Sequence, residues 1–413
     1  MNWRLQGFAP FRQAAFRRQW PADVCTSWAF EMETLVLGWY ILVETGSVVW
    51  LSVFASVQYL GTLISPMFGV MADRLGPRSV LLAMRGTYAT LAAVLAAMAF
   101  TDTLSPLAVL LVASLSGLVR PSDLGVRSAL ISAIMPPALL VPTMGIARMS
   151  ADTARIMGAL AGAGLVALLG TGFTYLVVLA LYLTSLGLTL SVAAARRVVV
   201  AQPVSPWRDL GDGIAHMRER QALLATILLA FLVNLLAYPF SGGLLPYVAR
   251  EIYGIDRTGL GYLVASFAAG GLMGSFVVIS GHGMQRPARM MLIACAFWFP
   301  LLMVFAFTTG LLPGIAMMAL AGFAQSFVMV PMSVILMRCS EERFRGRIMG
   351  LRILAVYGLP LGLLVAGPLI EAVGFTTVTI LYSVLGLLAA GAIAILWRRD
   401  LLPRDAPANV ARS

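Results

Sequence analysis

A chain of 413 residues that is 60% hydrophobic and only 11% charged, against about 25% charged in a soluble domain, is not a water-soluble globule. Its mean hydropathy of +0.90 places it in a membrane. The net charge of +11 comes from arginine, with no lysine, and is dispersed in short segments between apolar runs, so no nucleic-acid-binding face forms. Three cysteines, Cys25, Cys295 and Cys339, lie in or beside apolar runs without paired spacing, which excludes a disulfide scaffold. His216 and His282 both fall in hydrophilic breaks, so neither a buried histidine metal site nor a histidine relay is expected. No cofactor or metal is implied, and any proton carried through the membrane would have to ride on a carboxylate.

About 20 apolar residues cross the hydrocarbon core. The sequence predicts twelve such runs, over approximately 19–43, 48–71, 79–100, 105–132, 140–168, 172–195, 221–248, 258–280, 288–308, 312–338, 346–370 and 375–397. The first is too long for a signal-peptide core and has no convincing cleavage site after it, so it is expected to stay in the mature protein. The fold class that follows is an all-α integral membrane protein with twelve transmembrane helices, arranged as two six-helix bundles about a pseudo-twofold axis. The longest polar interruption divides the chain into an N-terminal bundle over 1–195, a linker over 196–220, and a C-terminal bundle with a short tail over 221–413. In the linker Trp207, Leu210, Ile214 and Met217 recur at helical steps, with Arg208, Asp209, Asp212, Arg218 and Glu219 opposite, predicting an interfacial amphipathic helix. Arginines such as Arg4, Arg12, Arg17, Arg18, Arg196, Arg197, Arg343, Arg398 and Arg399 crowd one side of this topology, while Arg250 and Arg257 lie on the other. By the positive-inside rule both termini are cytoplasmic.

An offset of about 205 residues, taken between the matching runs of the two halves, sets Met144-Gly145-Ile146 against Met349-Gly350-Leu351 and Ser128 against Ser333. A parallel six-span repeat places a substrate site near the midplane between halves.

Charges inside the apolar runs are confined almost entirely to the first half. They must face one another or a water-filled cavity, because an ionised group at a span centre costs about 2.5–3.5 kcal/mol against lipid. On the first run Asp23, Ser27, Glu31, Thr34 and Gly38 gather within about 80° of arc at 100° per residue. Glu33 points some 200° away from Glu31, toward a neighbouring helix. Ser116, Arg120, Asp123 and Arg127 share a face of the fourth run; Arg148, Asp152 and Arg155 share one on the fifth. Glu31 is therefore the leading proton carrier, with Asp123 and Glu33 behind it. Arg120, set against Gln325 at the same offset, is expected to modulate Glu31 or touch substrate across from Gln325, Asn234 and Tyr238. Asp23, Arg127, Arg148, Asp152 and Arg155 are expected to form a structural charge network. The 22 methionines read as adaptable packing, since no cysteine or histidine cluster joins them to make a soft-metal site. Gly158-x-x-x-Gly162 and Gly270-x-x-x-Gly274 read as close helix contacts. No phosphate loop, catalytic triad or paired metal motif is present, so the chain does not read as an enzyme or an ATP-driven pump.

The segment Gly69-Val70-Met71-Ala72-Asp73-Arg74-Leu75-Gly76-Pro77-Arg78, between the second and third runs, resembles the loop signature G-x-x-x-D-R-x-G-R-R of the major facilitator superfamily, with Pro77 in place of one arginine. Glu341-Glu342-Arg343-Phe344-Arg345-Gly346-Arg347-Ile348-Met349-Gly350 is similar to the P-x-x-x-R-G-R-V-M-S segment of the branch containing the enterobactin exporter and macrolide efflux proteins. Ala154-Arg155-Ile156-Met157-Gly158 is similar to that branch's A-R-I-L-G-P. Ala159 and Ala163 depart from the exporter signature, and the loop Gly281 to Arg289 keeps basic residues without an aspartate, implying a one-sided gate. The resemblance implies that Asp73 and Arg74, with Arg78, Arg345 and Arg347, are gate residues, Asp73 pairing across the halves in the outward-open state.

The resemblance, with the charge pattern, implies a bacterial inner-membrane secondary transporter. It would act as a monomer by alternating access and export an amphipathic small molecule, such as a drug or siderophore, in exchange for protons. Rivals are a proton-coupled importer of an organic anion or nutrient, a lysophospholipid flippase, and a non-transporting membrane sensor. Its partners would be the substrate, protons and the lipid bilayer.

Overall fold

The computed structural model describes residues 9–193, 206–280, 286–341 and 344–401. Arg4, Arg196, Arg197, His282 and Arg343 lie outside these residues. In hydrocarbon a backbone must satisfy its own hydrogen bonds, and every regular element among the described residues is helical.

Twelve traverses follow one another. Helix α1 is Ala14–Thr45. Helix α2 is broken: Val48–Val57 and Ser65–Leu75 meet at a 43° bend. Then come α3 (Pro77–Phe100) and α4 (Pro106–Ile134). One run, Leu140–Leu190, holds both α5 and α6, divided at Gly170, whose φ of 78° only glycine adopts without strain. After a linker helix, Pro206–Glu219, come α7 (Gln221–Leu236, continued by a π turn over Pro239–Gly243) and α8 (Arg257–Ser280). Helices α9 (Pro287–Phe305), α10 (Leu311–Cys339), α11 (Arg345–Ala355 and Gly358–Val373) and α12 (Phe375–Leu396) complete the chain. The sequence-based boundaries hold to within a few residues, except that α1 starts earlier and the fifth and sixth runs are nearly continuous.

The two halves pack alike: α1 on α5, α3 on α6, and α2 on α4 are matched by α7 on α11, α9 on α12, and α8 on α10. Small residues set the closest approaches. A Cβ on Gly270 would lie 1.9 Å from the Ala319 carbonyl oxygen of α10, and one on Gly158 would lie 2.8 Å from Glu31 Cβ. Both glycine pairs singled out from the sequence are thus helix crossings.

The halves touch through α2 with α11 and α5 with α8. These contacts sit toward the end of the molecule remote from the termini, here called the far end. There Ser56 Oγ donates to the Pro360 carbonyl at 3.1 Å, and Arg250 Nη1 donates to the Leu42 carbonyl at 2.5 Å. Among the described residues no comparable packing joins α4 or the start of α5 to α10 or α11 at the terminal end. The second segment of α2 shows the consequence: Ala72 alone is buried, while Met67, Met71 and Leu75 are exposed. The molecule is closed at the far end and open at the terminal end.

The linker forms a helix over Pro206–Glu219, inside the segment where the sequence predicts one. Gly213 allows it to lie against α11, where an added Cβ would meet Arg347 Cβ at 3.2 Å. His216, expected in a hydrophilic break, is buried and stacked on Phe344 at 4.2 Å. The linker helix is therefore docked on the C-terminal half, and His216 is a packing residue of that dock.

Entry into α8 depends on one cap. Asp256 Oδ1 accepts the Gly259 amide at 3.0 Å, and that bond holds the Asp256 carboxyl below the usual carboxylate range. A depressed folded-state pKa contributes stability that is complete above the ordinary carboxylate pKa and is lost as pH falls through the folded value. Asp256→Ala is expected to cost about 1 kcal/mol, and Asp256→Asn far less at neutral pH. Thermal unfolding in detergent checks this, and an Ala variant as stable as wild type would remove the cap from the account.

Candidate functional site

Apart from Glu44, exposed at its far end, helix α1 carries three carboxylates, in three settings. The first, Asp23, sits in a buried lattice. It pairs with Arg85 of α3, lies 3.6 Å from Arg127 Nε of α4, and accepts from Gln19 Nε2 at 2.7 Å. Arg127 also pairs with Asp123 one turn earlier and donates to Ser27 Oγ at 2.9 Å. Two carboxylates and two guanidiniums therefore neutralise one another, with Arg85 fully buried and Asp123 side-chain exposure only 5%.

The second, Glu33, meets a neighbouring helix as expected and accepts a 2.9 Å hydrogen bond from Tyr182 of α6. It shares with Arg120 and Gln58 a cavity of about 10 Å³, room for roughly one water. The third, Glu31, is 27% exposed and faces Arg155 of α5 at 3.7 Å, itself 45% exposed. This pair is solvated and loose, unlike the lattice.

The predicted partnerships are therefore redistributed. Arg120 does not reach Glu31: its guanidinium donates to Gln58 Oε1 at 2.8 Å and the Phe30 carbonyl at 2.9 Å, and lies 4.3 Å over the Phe30 ring. Arg155, assigned to the structural network, is the partner of Glu31 instead. Asp123, ranked among the proton carriers, belongs to the lattice with Asp23 and Arg127. Arg148 and Asp152 pair at 3.1 Å at the open end, Arg148 being 73% exposed.

Across from Glu31 and Arg155, Gln325 of α10 donates to the Tyr238 hydroxyl. Tyr238 ends the regular part of α7, where the π turn begins, and packs edge-on against Trp298 at 5.3 Å. It lies within electrostatic reach of Arg155, Arg148 and Arg352. Asn234 is set apart: its amide donates to the Ala230 carbonyl at 2.8 Å, and its Cβ would sit 3.3 Å from a Cβ on Gly358 of α11. It is a helix-packing residue in this conformation.

Two charges escaped the sequence reading. Arg85 is the cation that completes the lattice, and its signal was a single arginine inside an otherwise apolar third run. Arg352 lies about two turns into α11, donates to Ser333 Oγ at 2.8 Å, and feels the charge of Arg148 in the other half. Two arginines on α5 and α11, equivalent helices of the two halves, thus flank the opening.

Among the predicted gate residues, Asp73 and Arg74 are exposed, and Asp73 makes no ion pair among the described residues. Arg78 stays within its own half, donating to the Leu190 carbonyl at 2.6 Å and the Thr189 carbonyl at 3.3 Å. Arg347 lies 5.3 Å from the Phe344 ring, beside the docked linker helix. Arg345 opens the first segment of α11, and its side chain falls outside the described residues.

The lattice makes a stability claim. Removing one member of a buried ion cluster leaves an uncompensated charge, at about 3–5 kcal/mol. Arg85→Leu is expected to cost that much, and Arg85→Leu with Asp23→Asn substantially less, because the Arg127–Asp123 pair remains neutral. Denaturant unfolding of the two single variants and the double variant measures the difference, and a double-variant loss equal to the sum of the single losses would show that the two charges act separately.

The fold matches those of solved transporters at low sequence identity. A nucleoside transporter NupG variant aligns with TM-score 0.75 and 16% identity over 92% of this chain and 100% of that one. A bacterial homolog of the human lysosomal transporter Spinster, inward-facing and unoccupied, aligns with TM-score 0.71 and 15% identity over 95% and 99%. The human organic anion transporter MFSD10 aligns with TM-score 0.62 and 17% identity over 93% and 99%. No curated protein matches the chain significantly by sequence. The sequence profile described as Major Facilitator Superfamily matches residues 22–359, so the chain belongs to that superfamily and is a multi-pass membrane transporter, not an enzyme.

Proposed function

We propose that this protein is a proton-coupled exporter of an amphipathic small molecule, working as a monomer in a bacterial inner membrane by alternating access. The arginine-rich terminal end is then cytoplasmic, and the conformation described is open to the cytoplasm. The observation that carries the reading is the solvated Glu31–Arg155 pair at 3.7 Å, facing Tyr238 and Gln325 across the midline.

A proton on Glu31 removes the attraction that holds Arg155. The same proton removes the carboxylate that a hydrogen-bond donor of the substrate would bind, so substrate leaves as the proton arrives. Loss of the proton restores the carboxylate and with it the place for substrate beside Arg155. Substrate and proton thereby compete for one carboxylate, which is the logic of antiport. Glu33 and Asp123 are the reserve proton sites, the first beside a water-sized cavity and the second with Oδ1 lacking a hydrogen-bond partner among the described residues. At ~100 mV and one pH unit, an entering proton releases roughly 3.7 kcal/mol, enough for about a 500-fold gradient of a neutral substrate. Asp73 and Arg74, which make no ion pair across the halves among the described residues, would engage when the terminal end closes, with Arg345 and Arg347 bordering the same seam.

Proteoliposomes carrying an internal pH dye test this with a catecholate siderophore, a macrolide, a lysophospholipid and simple carboxylates. Substrate-dependent proton movement is expected in wild type and should fall to the empty-liposome level in Glu31→Gln, while substrate exchange without a proton gradient persists. Proton movement that survives the substitution would remove Glu31 from coupling.

The convergence of Arg148, Arg155 and Arg352 on Tyr238 favours a second reading, transport of an organic anion. Two guanidiniums on opposite halves repel, and an anion between them would offset that repulsion as the mouth closes. Carboxylates alone driving proton movement in the same assay, with loss in Arg352→Gln, would select this reading.

A further inference from the structure

One cavity of the molecule lies away from the interface between the halves. It is a groove of about 650 Å³ on the outer flank of the C-terminal half, between α9 and α10. Its walls are Ile293, Phe297 and Leu301 on α9 and Leu320, Phe323 and Phe327 on α10. The spacing on each helix is three or four residues, so each contributes one continuous stripe. Phe297 is 65% exposed and Ile293 46%, so the groove opens sideways. Its polar lining is Arg286 and Arg289, both at the start of α9 and both exposed.

This distribution of chemistry has a direction. From Arg286 to Leu301 the helix rises about 22 Å at 1.5 Å per residue, and one leaflet of hydrocarbon is roughly 15 Å deep, half of a ~30 Å core. The groove therefore spans one leaflet, with its cations at headgroup level and its apolar stripe beneath. A soluble substrate has no use for such an amphipathic slot facing lipid. A membrane lipid fits it end to end, and paired arginines at the headgroup select a negative one.

We infer that the α9–α10 groove is a binding site for an anionic phospholipid, whose phosphate lies on Arg286 and Arg289 while one acyl chain fills the groove past Phe297 to Leu301. Helix α10 is the shared wall: Ala324 faces the groove and the next residue, Gln325, bonds Tyr238 at the transport site. The site is independent of what the protein transports or in which direction.

Native mass spectrometry of the full-length protein in detergent tests it, with phosphatidylglycerol and phosphatidylcholine of identical chains as probes. Phosphatidylglycerol should be retained about tenfold more tightly. The preference should vanish in Arg286→Ala/Arg289→Ala, and both lipids should be lost in Ala324→Trp, which fills the groove. Should either variant fail to fold, wild type decides: phosphatidylglycerol bearing a photoreactive acyl chain should cross-link to peptides of α9 and α10. Equal retention of the two lipids, a preference that survives both variants, or cross-links confined to other helices would overturn the assignment.

Discussion

No water inside a bilayer can rescue a stranded charge, and this requirement organises the N-terminal half. Asp23, Arg85, Asp123 and Arg127 bring α1, α3 and α4 to one point because each charge has no cheaper place to go. Arg85 also reaches the Ser185 carbonyl of α6 at 3.4 Å, so the lattice ties a fourth helix to the same centre. A half held this way moves as a body, which a rocking transporter requires of each of its halves. Among the described residues the C-terminal half has no equivalent lattice and relies on close glycine crossings instead, Gly270 and Gly322 placing α8 almost backbone to backbone with α10.

Against that rigid background the surroundings, rather than residue type, assign roles. Asp23, Glu31 and Glu33 all belong to α1, within three turns of one another. Asp23 is fixed by two arginines and Glu33 by a tyrosine, whereas Glu31 meets a solvated arginine at a distance that leaves both partners exchangeable. A group that must take up and release a proton needs access to water and a partner it can abandon. Among the three, Glu31 combines these properties.

The pattern of the sequence carried most of the architecture, because apolar length and glycine spacing act locally and leave linear traces. It also identified the polar stripe on α1 correctly, since helical periodicity fixes which residues share a face. It did not identify partners across helices. Arg120 and Arg155 sit at similar depth on α4 and α5, and only the packing of α1 against α5, with Gly158 under Glu31, decides that Arg155 is the neighbour. Asn234 shows the same limit from the other side: a polar residue at mid-depth looks like a cavity wall until the close approach of Gly358 turns it into a helix contact. His216 lay in a polar stretch, yet the docking of the linker helix on α11 buries it.

The seam between halves is built to be broken. At the far end it is made of small residues, apolar contacts and hydrogen bonds to backbone carbonyls: Gly367 against Ser52, Gly261 against Ala163, and Arg250 on the carbonyl that ends α1. The Leu42 carbonyl also accepts the Gly46 amide, so releasing Arg250 strands no buried acceptor. Such a seam can part without exposing an unpaired buried charge, the one penalty that would lock it. At the terminal end the balance is reversed, because Arg148 and Arg352 approach as like charges when the mouth narrows. Closing there requires a negative group between them or a retreat of one guanidinium toward its own carboxylate, Asp152 for Arg148. The far-end seam is therefore held by packing, whereas charge governs the terminal-end opening.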